Sequence, residues 1–311
     1  MNGSAMVGSA MKGSGDPSIK HAVTIGVCTF QRPELFAALA SFEALKGAER
    51  YDLRVLVVDN DETDAIRASV EAFAREYPFP LRYVHAPARN ISIARNAVLD
   101  GVETPWLLFI DDDELADPDW LEQIMADAQA HEAIIGACEA SYDASLPGWL
   151  SRCDFHSNRI TGRVENAYTS NALLRISFVR EHGLRFRTEL GRTGGEDTIF
   201  FHELARAGGR IAYRPQAIVH EPVTPARASM AWVKTRKFRA GQTHGLVTRE
   251  FEPSQYRTLF FTAGAKALLS ALMSVVTVPG SDASRQWWAR AHLHMGAVRY
   301  RLSPTIHEEY G

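Results

Sequence analysis

Residues 105–114 read PWLLFIDDDE, an unbroken apolar run that stops at four adjacent acids. Carboxylates side by side repel one another, so water, a cation or cationic neighbours must offset them at that point. Three further runs share this build, AVTIGVCTF (22–30), LRVLVVDND (53–61) and LRYVHAP (81–87). Between them lie segments with helical spacing. One follows Pro33 through LFAALASFEAL, one places Ile66, Val70 and Phe73 within 63–77, and one covers 92–102. Strands apolar on both faces, alternating with helices, specify an α/β fold with a mostly parallel sheet flanked by helices. Ligands of such sheets bind beyond the carboxyl ends of the strands. This chain puts Thr29 and Arg32, Asp59 and Asn60, Arg89 and Asn90, and the acids from 111 to 114 at those ends.

The second half reads more coarsely. A helix is expected over 117–131, a strand over 133–140, and little regular helix over 157–179. GGEDTIFFHELARAGG (194–209) joins a glycine turn and two acids to a helix start; RIAYRPQAIVHE (210–221) is a strand ending near His220. From residue 231 onward the chain turns basic and helical, with eleven Lys and Arg against five Asp and Glu; the first 230 residues carry 23 against 32. The organisation expected is a disordered Gly/Ser-rich leader over 1–21, a catalytic domain over 22–230 and a basic helical region over 231–311. A formal net charge of −3 gives no global attraction to nucleic acid. Three scattered cysteines, Cys28, Cys138 and Cys153, suit neither a disulfide framework nor a zinc site, and point to a reducing cytoplasm.

Two neighbouring carboxylates are the usual protein contribution to Mg²⁺ or Mn²⁺ beside a phosphate. On an extended segment Asp111 and Asp113 share one side and Asp112 takes the other, which makes the first and third the natural pair. An ordinary solvated strand end is the bland alternative. Glu196 and Asp197 open a helix, where the helix dipole alone would favour acids. Arg236 and Arg239 share a helical face that would suit a diphosphate, or simply water.

The ordered set VTIGVCTFQRP, LVVDND, ARNISIARNAVLD, LLFIDDDE, GGEDTIFF and AIVHEP resembles the family 2 glycosyltransferases of GT-A fold, over residues 22 to about 245. Within that family it is similar to bacterial polysaccharide-assembly enzymes of the succinoglycan glucosyltransferase type. The resemblance implies inverting transfer of a sugar from a nucleotide diphosphate donor, a UDP-sugar, to an acceptor hydroxyl, with Mg²⁺ or Mn²⁺ as cofactor. By that match Thr29, Phe30 and Arg32 border the nucleotide, and Asp59 bonds the base. Arg89, Asn90, Arg95 and Asn96 line the base and diphosphate side. Asp111 faces the ribose or donor sugar, Asp113 binds the metal, and Asp112 shares either task. Asp197 becomes the general base and Glu196 an acceptor or sugar contact. His220 becomes a metal ligand, with His244 as a rival. The family's QxxRW string is missing, which weighs against a processive synthase.

LFFTAGAKALLSALMSVVTVP (259–279) is the most apolar stretch. Lys266 leaves only twelve uncharged residues, Ala267 to Val278, short of the about 20 that a span needs. With Trp287, Trp288, Tyr300 and four arginines following, two readings stand: an in-plane helix at the inner face of the plasma membrane, or a hairpin packed on the catalytic body. A lipid-linked saccharide acceptor would make peripheral attachment sensible. The rival functions are a sugar-phosphate nucleotidyltransferase, disfavoured because TFQRPE has no glycine, and a non-catalytic nucleotide-sugar-binding module, disfavoured by the intact acids.

Overall fold

The computed structural model describes residues 21–306, so the expected leader lies outside the described residues except for His21. The first half alternates β1 (His21–Thr29), α1 (Leu35–Ser41), β2 (Tyr51–Asp59), α2 (Arg67–Ala74), β3 (Leu81–His85), α3 (Ile91–Gly101) and β4 (Trp106–Asp111). Then come β5 (Leu115–Ala116), α4 (Trp120–Met125), β6 (Ala133–Ser141), α5 (Trp149–Cys153), β7 (Asn171–Arg175), α6 (Ile176–Glu181), α7 (Glu196–Arg206) and β8 (Ile211–Pro222). Three long helices finish the chain: α8 (Met230–Phe251), α9 (Pro253–Val276) and α10 (Asp282–Leu302). The strands form one sheet in the order β3-β2-β1-β4-β7-β6-β8-β5, in which four of the seven neighbouring pairs are parallel.

The apolar runs are continuous because both sheet faces are covered. On β4, Trp106, Leu108 and Ile110 face one core with Leu35, Leu39 and Trp120; Leu107 and Phe109 face the other with Val98, Phe200 and Phe201. Fully burying side chains of this size contributes about 1.5–3 kcal/mol each, so the sheet centre is the rigid platform of the molecule. Gly26 on β1 lets α3 approach closely, since a Cβ there would sit 2.6 Å from Val98 Cγ1.

Three local expectations are corrected. The fourth strand ends at Asp111, and Asp112 and Asp113 form a turn, so the alternation of an extended segment does not apply to the three aspartates. The helices expected over 63–77 and 117–131 are confined to Arg67–Ala74 and Trp120–Met125. The stretch 157–179 supplies β7, which runs antiparallel between β4 and β6 at the sheet centre, and the start of α6.

The C-terminal helices form a layer against the body. α10 lies along both α8 and α9. Its crossing with α8 is close because a Cβ at Gly241 or Gly296 would collide with the other helix's backbone. Ion pairs Arg152–Asp282 (2.5 Å) and Arg187–Glu250 (2.7 Å) tie the layer to the body. α9 runs unbroken through Lys266 and is long and apolar enough to cross a bilayer, by length and composition only. Leu259 and Ala263 are buried inward, whereas Phe261, Leu268, Leu272, Val275 and Val276 are exposed.

Candidate active site

The ends of β1, β4 and β8 and the start of α7 converge on one acidic centre. Asp112 turns back onto the sheet, where the Thr29 hydroxyl donates to its carboxylate at 2.7 Å. Burial pushes the Asp112 carboxyl up to about 7. Asp111 stands half-exposed at the end of β4, 3.8 Å from Arg95. Although water reaches it, the surrounding cleft walls partly desolvate it, and with its neighbours Asp113, Glu221 and Asp197 they push its carboxyl up to about 6 against the pull of Arg95. Asp113 accepts from Arg32 at 2.7 Å and from Arg227 at 3.1 Å.

Arg227 carries no sequence motif, and its role depends on contacts far along the chain. Its guanidinium links Asp113 to Glu221, and its carbonyl oxygen lies 3.1 Å from the His156 ring. That ring stacks on Trp232 with centroids 4.7 Å apart. Glu221 follows His220 on β8, and successive strand residues point to opposite faces. Glu221 therefore joins the acidic centre, while His220 stands on the other side, 3.5 Å from Asp117. Behind the turn, Glu114, Cys138 and Glu221 bring ligand atoms within 4.8 Å of one another. Burial holds the Glu114 carboxyl well above the usual carboxylate range.

Across the cleft, Gly194 and Gly195 take φ of +82° and +93°, a turn that an L side chain would strain. It delivers Glu196 and Asp197 to the first turn of α7. Glu196 is 5% exposed and bonds Arg95, while its Oε2 has no hydrogen-bond partner among the described residues. Arg95 thus sits between Asp111 and Glu196 and joins the end of β4 to the start of α7. Asp197 lines the open cleft. That cleft encloses about 790 Å³ and continues past Phe155, Arg236, Arg239 and Thr243.

The residues expected on the nucleotide side separate into two groups. Asp59 is 1% exposed and accepts from the Tyr83 hydroxyl at 2.7 Å and from the Asp61 backbone at 2.9 Å. Arg89 lies 5.5 Å over the Phe30 ring, with φ +44°. Asn90 and Asn96 bond to the scaffold. The Asn90 side chain caps α3 and donates to the Thr188 carbonyl at 2.8 Å. Asn96 exchanges two hydrogen bonds with the Phe186 backbone. Sequence reasoning missed Tyr83, Glu221 and Arg227. Only Glu221 had a local signal, the alternation beside His220.

A pH effect follows from Asp112. Its folded value lies above the ordinary 3.8, so between about pH 4 and 7 the folded chain keeps a proton that the unfolded chain has lost. The stability from this group is present below pH 4 and falls as pH rises toward 7. Asp112→Asn should therefore gain stability relative to the parent as pH rises from 4 to 7.5, by about 1 kcal/mol or more, in cation-free urea unfolding. A pH-independent difference between the two would contradict the buried carboxyl.

Known proteins resemble this architecture in sequence and in shape. The model of "Glycosyl transferase family 2" matches residues 24–188. The succinoglycan biosynthesis protein ExoM of Rhizobium meliloti is 42% identical over 295 residues, covering 93% of this chain and 96% of that protein. The glucosyl-dolichyl phosphate glucuronosyltransferase of Haloferax volcanii is 26% identical over 241 residues, 70% and 75% of the two chains. Among solved structures, the mannosyltransferase PcManGT of Pyrobaculum calidifontis, in complex with GDP-Man and Mn²⁺, superposes with a TM-score of 0.62 at 19% identity, over 93% and 89%. Residues 1–349 of S. aureus TarS, in complex with UDP-GlcNAc, give 0.52 at 14%, over 94% and 97%. The structural likenesses establish the GT-A fold, and the matched family model with the 42% relative establishes that the chain belongs to glycosyltransferase family 2.

Proposed function

We propose that this glycosyltransferase moves a sugar from a UDP-sugar to a hydroxyl of a saccharide acceptor, with inversion, in exopolysaccharide assembly. The observation that carries the proposal is the placing of Asp197 in the cleft wall at the start of α7, among acids that include Asp111. Single displacement needs a base on the acceptor side of the sugar and charge neutralisation on the diphosphate side. Asp197 takes the acceptor proton. Glu196, held by Arg95, lines the sugar side. Asp59, with Tyr83 fixing its carboxylate, offers acceptor oxygens to an N–H of uracil.

The donor set Asp111, Asp113 and Glu221 is all oxygen and suits a hard divalent cation, Mg²⁺ or Mn²⁺. Such a cation supplies charge neutralisation for the departing diphosphate. Arg227 and Arg32 now share Asp113, and both become available to phosphate oxygens once that carboxylate is otherwise engaged. The exopolysaccharide setting rests on the extent of the match to the succinoglycan protein. A lipid-linked acceptor and peripheral attachment at the cytoplasmic face of the membrane rest on the exposed apolar side of α9, with Trp287 beneath Arg290 on α10. Co-sedimentation with anionic vesicles tests that attachment.

The function is tested by donor hydrolysis in the absence of acceptor. UDP-sugar hydrolysis should require Mg²⁺ or Mn²⁺ and fall at least about a hundredfold in Asp113→Asn. Cation-independent hydrolysis, or an unchanged Asp113→Asn, would remove the donor-site assignment.

A further inference from the structure

The cleft does not end at the reacting centre. It continues between α8, α9 and α10, where His244, Lys266 and His294 line it, one from each helix. Burial in the cleft and the Lys266 charge hold both imidazoles below the usual histidine range. Lys237 faces the same cleft. Neither Lys237 nor Lys266 makes an ion pair among the described residues. The carboxylates lining the cleft are Asp111, Glu196 and Asp197, all at its near end. Glu252, which His244 senses from outside the lining, is engaged by Arg163. The near end thus pairs its carboxylates with Arg95, Arg236 and Arg239, whereas around Lys266 at the far end no carboxylate lines the cleft among the described residues.

Two further features say what meets that charge. Arg236 and His244 are eight residues apart on α8, about 12 Å along the axis, so a donor diphosphate at the near end does not also occupy the far end. On α9, Thr258, Thr262 and Lys266 are spaced by four and form a polar stripe along the cleft. Phe261, Leu268, Leu272 and Val275 of the same helix are exposed to the outside. The cationic pocket therefore lies on a helix whose other side is bare hydrocarbon. A ligand matching both would be amphiphilic, with its anionic group where the two surfaces meet.

We infer that Lys266, His244 and His294 form an anion subsite for the acceptor, receiving a phosphate group that joins the saccharide to an apolar carrier. The carrier lies along the exposed face of α9, and the saccharide reaches back through the cleft to Asp197. This rests on the glycosyl-transfer reading and adds the acceptor's phosphate and the residues that hold it.

The first measurement is inorganic pyrophosphate binding to the full chain by calorimetry without divalent cation. Lys266→Gln should weaken it about tenfold, the size of one lost charge-assisted contact, and Lys266→Arg should restore it. Arg32→Gln, at the opposite end of the cleft, should leave it within about twofold. Weakening in Arg32→Gln but not in Lys266→Gln overturns the inference. The second measurement compares one oligosaccharide acceptor carried on an alkyl diphosphate with the same saccharide on a neutral alkyl group. The parent should favour the diphosphate about tenfold or more through KM, and Lys266→Gln should bring the ratio toward one. Equal KM values in the parent overturn the inference. A third arm separates the acceptor's phosphate from a bilayer headgroup: Lys266→Gln should raise acceptor KM without changing affinity for phosphatidylglycerol vesicles. An equal loss of vesicle binding assigns the subsite to headgroups and overturns it. Lys266-dependent pyrophosphate binding in a chain that hydrolyses no nucleotide sugar would fail the transfer reading and, with it, the acceptor assignment. Transfer indifferent to Lys266 would fail this inference alone.

Discussion

Asp197→Asn should lower transfer by about 10²–10⁴-fold while leaving the donor KM within about threefold, measured by steady-state kinetics on both substrates. The substitution keeps the shape of the side chain and removes its capacity to take the acceptor proton. Asp197 lies in the first turn of α7 beside an open cleft, so losing its charge costs the fold only the helix-dipole contribution, about 0.3–1 kcal/mol. Acceptor-independent donor hydrolysis should survive, because that reaction has no acceptor proton to remove. If donor KM rises together with the loss of transfer, Asp197 belongs to the donor site and the division of labour between it and Asp113 fails.

Arg95→Leu should destabilise the chain by about 3–5 kcal/mol in urea unfolding at pH 7.5. Arg95 and Glu196 are both nearly inaccessible to water, and Asp111 lies 3.8 Å from the same guanidinium. Deleting the cation leaves a buried carboxylate whose Oε2 has no partner among the described residues even now. Burial already pushes the Glu196 carboxyl up to about 7 against the pull of Arg95; without that pull it should bind a proton at neutral pH. A domain with only about 5–15 kcal/mol in hand would lose a large share of it. Adding Glu196→Gln to Arg95→Leu should recover part of the loss, since an amide is neutral without the cost of binding a proton at pH 7.5. Additive losses in the double variant would show that the two side chains do not act as a pair.

Much of the site was legible because its position follows from local pattern. The runs ending at Thr29, Asp59 and Asp111 carry apolar residues on both faces, and that pattern places their ends on one rim of a parallel sheet. The glycine pair before Glu196 marked the turn that the positive φ values require. What escaped depends on contacts distant in sequence. β7 contributes only five residues, and nothing local says that NALLR runs antiparallel at the sheet centre. The three aspartates were read as extended, but their backbone turns, and Asp112 swings onto Thr29, 83 residues away. Arg227 meets Asp113 across 114 residues, so no spacing rule could have found it. Of the stretch 259–279, one side of α9 packs inward, as a hairpin on the catalytic body requires, and the other side is exposed.

The most direct test is a crystal structure with UDP and Mn²⁺, the ion located by its anomalous scattering. The expected result is Mn²⁺ bonded to Asp113 with the diphosphate beside it, uracil against Asp59, and Arg227 released from Asp113. Mn²⁺ held instead by Glu114, Cys138 and Glu221, with UDP away from Asp59, would contradict the donor site at its root.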